Sequence, residues 1–135
     1  MMFGFGRKKD KNPKKDAQKE DAPVLTPEEK EQILLSISSK EQELDQASEG
    51  EQAKILEEIG KAYSRLGDDD RAIAAFEKSI QIEKSVGDGY KKLLSLYNKK
   101  RAEAAKANDE ESLQIYLDKM DRMMQVSKDV ARGVR

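Results

Sequence analysis

Apolar residues recur along this chain at intervals of three and four, in five blocks separated by short polar breaks, and this periodicity predicts five amphipathic helices. The first opens at Thr26-Pro27-Glu28-Glu29, where a Thr N-cap, a Pro at the first helical position and a Glu three residues after the cap make a capping box. It presents Ile33, Leu34, Ile37, Leu44 and Ala47, is weakened by Ser38, Ser39 and Lys40, and fades around Ser48-Glu49-Gly50. Ser48 with Glu51 forms a second capping box, opening a helix with Ile55, Leu56, Ile59, Gly60, Tyr63 and Leu66 on one side and Gly67 at its end. Asp68-Asp69-Asp70 restarts the chain, and Ala72, Ile73, Phe76, Ile80 and Ile82 stripe a third helix up to about Val86-Gly87. A fourth follows Asp88 with Tyr90, Leu93, Leu94 and Tyr97, prolonged by Ala102, Ala104, Ala105 and Ala107. Asn108-Asp109-Glu110-Glu111 supplies the last N-cap, and the final helix lays Leu113, Tyr116, Leu117, Met120, Met123, Met124, Val130 and Val134 along one broad side. Connections this short favour antiparallel neighbours, so the expected architecture is all-α, a stack of antiparallel helical hairpins.

The second and third helices carry a pattern of their own: Leu56-x2-Ile59-Gly60-x2-Tyr63, then Ala72-x3-Phe76-x2-Ser79. Gly60 lets a paired helix approach closely, and Tyr63 and Phe76 are large enough to fill the space between helices. Thirty-four residues on, Tyr90, Leu93 and Tyr97 repeat the first half of it, while Leu94 replaces the small residue and the second half arrives late, as Ser112 and Tyr116. Six extra residues lie between the halves, lengthening the second hairpin by about 9 Å if they are helical.

In these residues the chain resembles the tetratricopeptide repeat family, in particular small bacterial-type members. Over residues 53–86 it meets seven of the eight family positions, and Lys84 stands where the family has its terminal Pro. The resemblance implies a right-handed solenoid fragment. Residues 26–50 become a capping helix without a repeat match of their own, 53–86 a repeat hairpin, and 87–134 a degenerate, lengthened one.

Composition narrows the function more than the fold. Charged residues reach 39% and aromatics only 5%, which suits thin helical layers with wide solvated faces. The 26 basic residues nearly cancel the 27 acidic ones, so any charge preference must be local. Cysteine is absent, which excludes disulfides and thiolate chemistry, and histidine is absent, which removes the commonest metal ligand and the commonest general base at neutral pH. No residue stands out as catalytic, no cofactor or metal is implied, and the expectation is a non-enzymatic protein. Neither a membrane-spanning run nor a secretion-type apolar segment is present, which points to the cytoplasm.

Proteins that resemble the family bind peptides or partner helices in the groove lined by the first helix of each hairpin. That face here comprises Lys54, Glu57, Lys61, Ser64 and Arg65, then Lys91, Lys92, Ser95, Asn98 and Lys99. Family members that grip a C-terminal carboxylate have Lys and Asn where this chain has Glu57 and Lys61, so that clamp is not carried over. Six cations against one acid favour an acidic peptide or helix of another protein. The expected partner-binding set is Lys54, Lys61, Arg65, Lys91, Lys92, Ser95, Asn98 and Lys99, in an interaction adaptor or scaffold.

Other features carry competing readings. Residues 1–25 form a basic tail, expected to be disordered, with seven basic against four acidic residues between Met1 and Asp21. Its Phe3 and Phe5 beside Arg7, Lys8 and Lys9 could touch anionic lipid, giving the alternative of a peripheral membrane-associated scaffold element at the inner face of the membrane. Gly is missing at position 2, so myristoylation is not available to strengthen that contact. Acids interrupt every basic run, including the surroundings of Lys99-Lys100-Arg101, which disfavours nucleic acid. The three consecutive aspartates are better explained by N-capping and the helix dipole than by a metal. Packing against the fourth helix is the expectation for Met120 and Met124, and self-association through the first or last helix stays open.

Overall fold

A computed structural model describes residues 24–133. Among the described residues the chain is all-helical, with no strand: α1 spans Pro27–Leu44, α2 Glu49–Arg65, α3 Asp69–Ile82, α4 Asp88–Lys106 and α5 Glu110–Ala131. By contact the chain divides into two units, Met1–Lys30 and Glu31–Arg135. The described part of the first holds the start of α1, where the Thr26 N–H donates to Glu29 Oε1 (2.9 Å) and the Glu29 N–H donates to Thr26 Oγ1 (3.1 Å), closing the expected capping box.

In the second unit the helix boundaries follow local chemistry. Ser48 and Glu51 exchange the same reciprocal bonds at the start of α2. Gly67, with φ of 79°, ends α2: its N–H donates to the Ser64 carbonyl while the Asp68 N–H reaches back to the Tyr63 carbonyl. This is a Schellman turn, and Asp68 then caps α3 by accepting from the Arg71 N–H. Asn108 and Asp109 repeat the arrangement between α4 and α5. Asn108 takes φ of 56°, the N–H groups of Asn108 and Asp109 donate to the carbonyls of Ala105 and Ala104, and Asp109 caps α5 through the Ser112 N–H. Asn is one of the few side chains that tolerates this left-handed position.

The most extensive interface joins α2 to α3, followed by α4 to α5 and α3 to α4, with a small contact between α2 and α4. The first three pairs run antiparallel. Ser79 near the end of α3 donates from Oγ to the Ala53 carbonyl near the start of α2 (2.7 Å), and Tyr90 near the start of α4 donates to the Met123 carbonyl (3.0 Å). Lys99 and Lys100, late in α4, pair with Asp69 and Asp70 at the start of α3. A core results, built from Ala72, Ile73 and Phe76 of α3, Leu93, Leu96 and Tyr97 of α4, and Met123 of α5. At Gly60 α2 packs tightly on α3: a Cβ placed there would stand 2.8 Å from the Phe76 ring.

The apolar stripes differ from expectation at several positions. In α5 it is Met123 that is buried; Met120 packs partly against the core, and Met124 is 58% exposed, so the expectation that Met124 faces α4 is corrected. In α1 Ile33 and Ile37 are buried but Leu34 is exposed. The third helix stops at Ile82, leaving Ile82 and Val86 on the surface, and Leu96, absent from the expected stripe of α4, is buried.

The turn after α3 and the end of α5 are joined by an ion pair with a pH signature. Lys84 Nζ lies 2.8 Å from Asp129 Oδ2, and Gln125 and Arg132 also donate to that carboxylate. These donors, Lys84 first, hold the Asp129 carboxyl down from 3.8 to about 2. A carboxylate with a depressed folded-state pKa contributes stability that is fully present above its unfolded value and is lost as pH falls through the folded one. Wild-type thermal stability is therefore expected to fall between pH 3.8 and about 2 with a contribution that Asp129→Asn removes. Melting curves at stepped pH check it, and identical slopes in wild type and variant count against the clasp.

Candidate protein-interaction face

The side chains expected to bind a partner lie on α2 and α4, and the two helices meet at one close point. Gly89 in the first turn of α4 is buried, and a Cβ there would stand 3.0 Å from the Glu57 side chain. The absence of a side chain at Gly89 therefore lets α4 start against α2. Beside this point Lys61 Nζ lies 3.4 Å from Glu57 Oε2 and 3.9 Å from Asp88 Oδ2.

The rest of the face is polar and outward. Lys54, Arg65, Lys91, Lys92, Ser95 and Asn98 are all exposed, and Asn98 accepts from Arg101 Nε (3.1 Å). Lys99 turns instead to α3, with Nζ 2.7 Å from Asp69 Oδ2. Of the six cations that the sequence places on this face, Lys61 and Lys99 are thus held by carboxylates of the same chain. Lys54, Arg65, Lys91 and Lys92 have no such pairing among the described residues, and they carry the basic character of the surface. The partners Asp69 and Asp88 lie 30 and 27 positions from their lysines, outside the reach of helical spacing rules.

Of the aspartate triplet, Asp68 caps α3 while Asp69 and Asp70 receive Lys99 and Lys100. A second ionic cluster, not anticipated from the sequence, ties three helices together. Glu77 of α3 accepts from the Tyr97 hydroxyl of α4 and from Lys119 Nζ of α5 (2.7 Å), and Lys119 also sits 5.6 Å from the centre of the Tyr97 ring. Burial, then the bond to Glu77 and its charge, push the Tyr97 phenol far above its ordinary value, so it stays protonated and donating. The cluster lies at the edge of a cleft of about 180 Å³ floored by Leu93, Tyr97 and Met123.

A groove of about 410 Å³ lies between the end of α1 and α2, lined by Glu43, Ala47, Glu51, Ile55 and Glu58 and sharing only Lys54 with the candidate face. Phe3, Phe5, Arg7, Lys8 and Lys9, the candidate lipid contacts, lie outside the described residues, as does Val134. No helix among the described residues is long and apolar enough to cross a membrane.

The class that these observations define is an all-helical domain of five helices with a solvated, mixed-charge α2/α4 face. No protein-family model, curated protein or solved structure matches the chain.

Proposed function

We propose that this protein is a non-catalytic adaptor of the tetratricopeptide type, and that the α2/α4 face binds an acidic peptide or helix of another protein. The observation that carries the reading is the recurrence of one structural unit. The α2–α3 pair is closed by Gly67-Asp68 and the α4–α5 pair by Asn108-Asp109, each a left-handed residue followed by an N-capping Asp. Ile59 and Tyr63 of α2 recur as Leu93 and Tyr97 of α4 at the 34-residue offset, and all four pack inward. Such a unit stacks into a right-handed solenoid fragment, with α1 covering the first hairpin.

The acidic partner follows from Lys54, Arg65, Lys91 and Lys92, which stand exposed on the two helices that line the groove in that family. Exposed pairs contribute about 0.2–1 kcal/mol each, so affinity from this surface is cumulative and salt-sensitive.

The test is capture and cross-linking from cell extract with wild type and with the Lys54→Glu/Arg65→Glu/Lys91→Glu/Lys92→Glu variant. The expected result is a partner cross-linked through an acidic segment, held about tenfold or more weakly by the variant and released by salt. Undiminished capture by the variant removes the α2/α4 face from the reading.

A further inference from the structure

The last helix carries an apolar seam that its own domain leaves partly uncovered. Toward α3 it presents Lys119, bound to Glu77, and Asp129, bound to Lys84. Met123 is buried in the core, with Tyr116 packed against it from the same side. On the edge turned away from α3, Leu113, Leu117, Met120 and Met124 follow one another at intervals of four, three and four, the spacing of a coiled-coil seam. Leu117 is 40% exposed and Met124 58%, while Leu113 and Met120 are half-buried.

We propose that this seam pairs antiparallel with the same seam of a second copy of this chain. The charges bordering it are self-complementary only in that orientation. On its outer flank Glu110 and Gln114 lie toward the N-terminal end of α5, Asp121 at its middle, and Lys128 and Arg132 toward the C-terminal end. The register that sets Leu113 against Met124 of the second copy also sets Leu117 against its Met120, so that all four apolar residues pair. The same register brings Lys128 beside the other Glu110 and Asp121 beside the other Gln114. Each contact occurs twice about the two-fold axis, as a closed isologous dimer requires. Antiparallel α5 helices also oppose their dipoles favourably, whereas a parallel pair sets acid against acid and base against base.

Sedimentation of the full chain over a concentration series tests the pairing. Wild type is expected to be a dimer at micromolar concentration. Leu117→Glu/Met124→Glu is expected to weaken it about a hundredfold or more, as two charges enter an apolar seam. Circular dichroism of that variant should match wild type, because both residues are exposed. Ile115→Glu, equally exposed but on the other edge of α5, should leave the dimer intact.

Orientation is read separately, since the chain has no cysteine of its own. A mixture of Gln114→Cys and Asp121→Cys chains should form a disulfide between the two variants. Neither variant should cross-link alone, because in this register like positions are offset along the pair by about 13 Å at Gln114 and about 7 Å at Asp121. A wild-type monomer at all concentrations overturns the proposal, including the case in which a different protein covers the seam. A dimer that survives the double Glu variant also overturns it, and self-linking of Gln114→Cys alone overturns the antiparallel arrangement.

Discussion

Replacing Phe76 with Ala is expected to reduce the unfolding free energy by about 3–5 kcal/mol, the range for removing a fully buried aromatic side chain. Phe76 has no exposed surface and belongs to the core cluster of buried residues, with Ala72, Ile73 and Leu93, directly over Gly60. Truncation leaves a cavity that helices held on two sides cannot close. The α2–α3 pair is fixed by its tight turn and by the Ser79 bond to Ala53, and α4 is fixed to α3 by Lys99, Lys100 and Tyr97. Domains of this size have about 5–15 kcal/mol in total, so the variant should be close to its unfolding threshold at physiological temperature. Urea unfolding followed by helical circular dichroism measures the change. Met124→Ala, which removes an exposed side chain of the last helix, should stay within about 0.5 kcal/mol of wild type. Equal losses at the two positions contradict the core described above.

The helices were legible in the sequence because their ends are specified by local chemistry. Thr26 with Glu29, Ser48 with Glu51, Asp68, Asp109 and Gly67 each act within a few residues of themselves, and each does in the structure what its spacing implies. The phase of each helix was less legible. Apolar residues occupy a broad side of α5, and a neighbouring helix covers only part of it, so docking on α4 decided that Met123 goes in and Met124 stays out. The same holds for Leu96.

The candidate face shows a different limit. That it lies on α2 and α4 could be read from periodicity, but its electrostatics could not. Lys99 finds its carboxylate on another helix, Lys61 adds Asp88 of α4 to its own-helix partner Glu57, and Glu57 approaches Gly89 only because α4 starts against the middle of α2. The Glu77–Tyr97–Lys119 cluster is likewise assembled from three helices and has no local signal.

Gly60→Ala tests the tight packing of α2 on Phe76 and is expected to destabilise the fold by about 1–2 kcal/mol, although Ala is the better helix former by about 1 kcal/mol. Intrinsic propensity and packing therefore oppose each other at this position, and the distances decide the sign. The added Cβ would stand 2.8, 2.8 and 2.9 Å from three carbons of the Phe76 ring, and that ring is wholly enclosed, so relief requires α2 and α3 to separate. Gly50, in the first turn of the same helix, has nothing within 4 Å of the equivalent Cβ position, and Gly50→Ala should be neutral or stabilising. The cause is isolated by a double-mutant cycle. In a Phe76→Leu background, where the smaller side chain leaves room for a methyl, Gly60→Ala should lose most of its penalty, giving a coupling of about 1 kcal/mol or more. Chemical denaturation of the four proteins measures this coupling. If Gly60→Ala stabilises the wild-type background as Gly50→Ala does, the helices are not held at the spacing described. If instead it is equally costly with Leu at position 76, the penalty does not come from the ring.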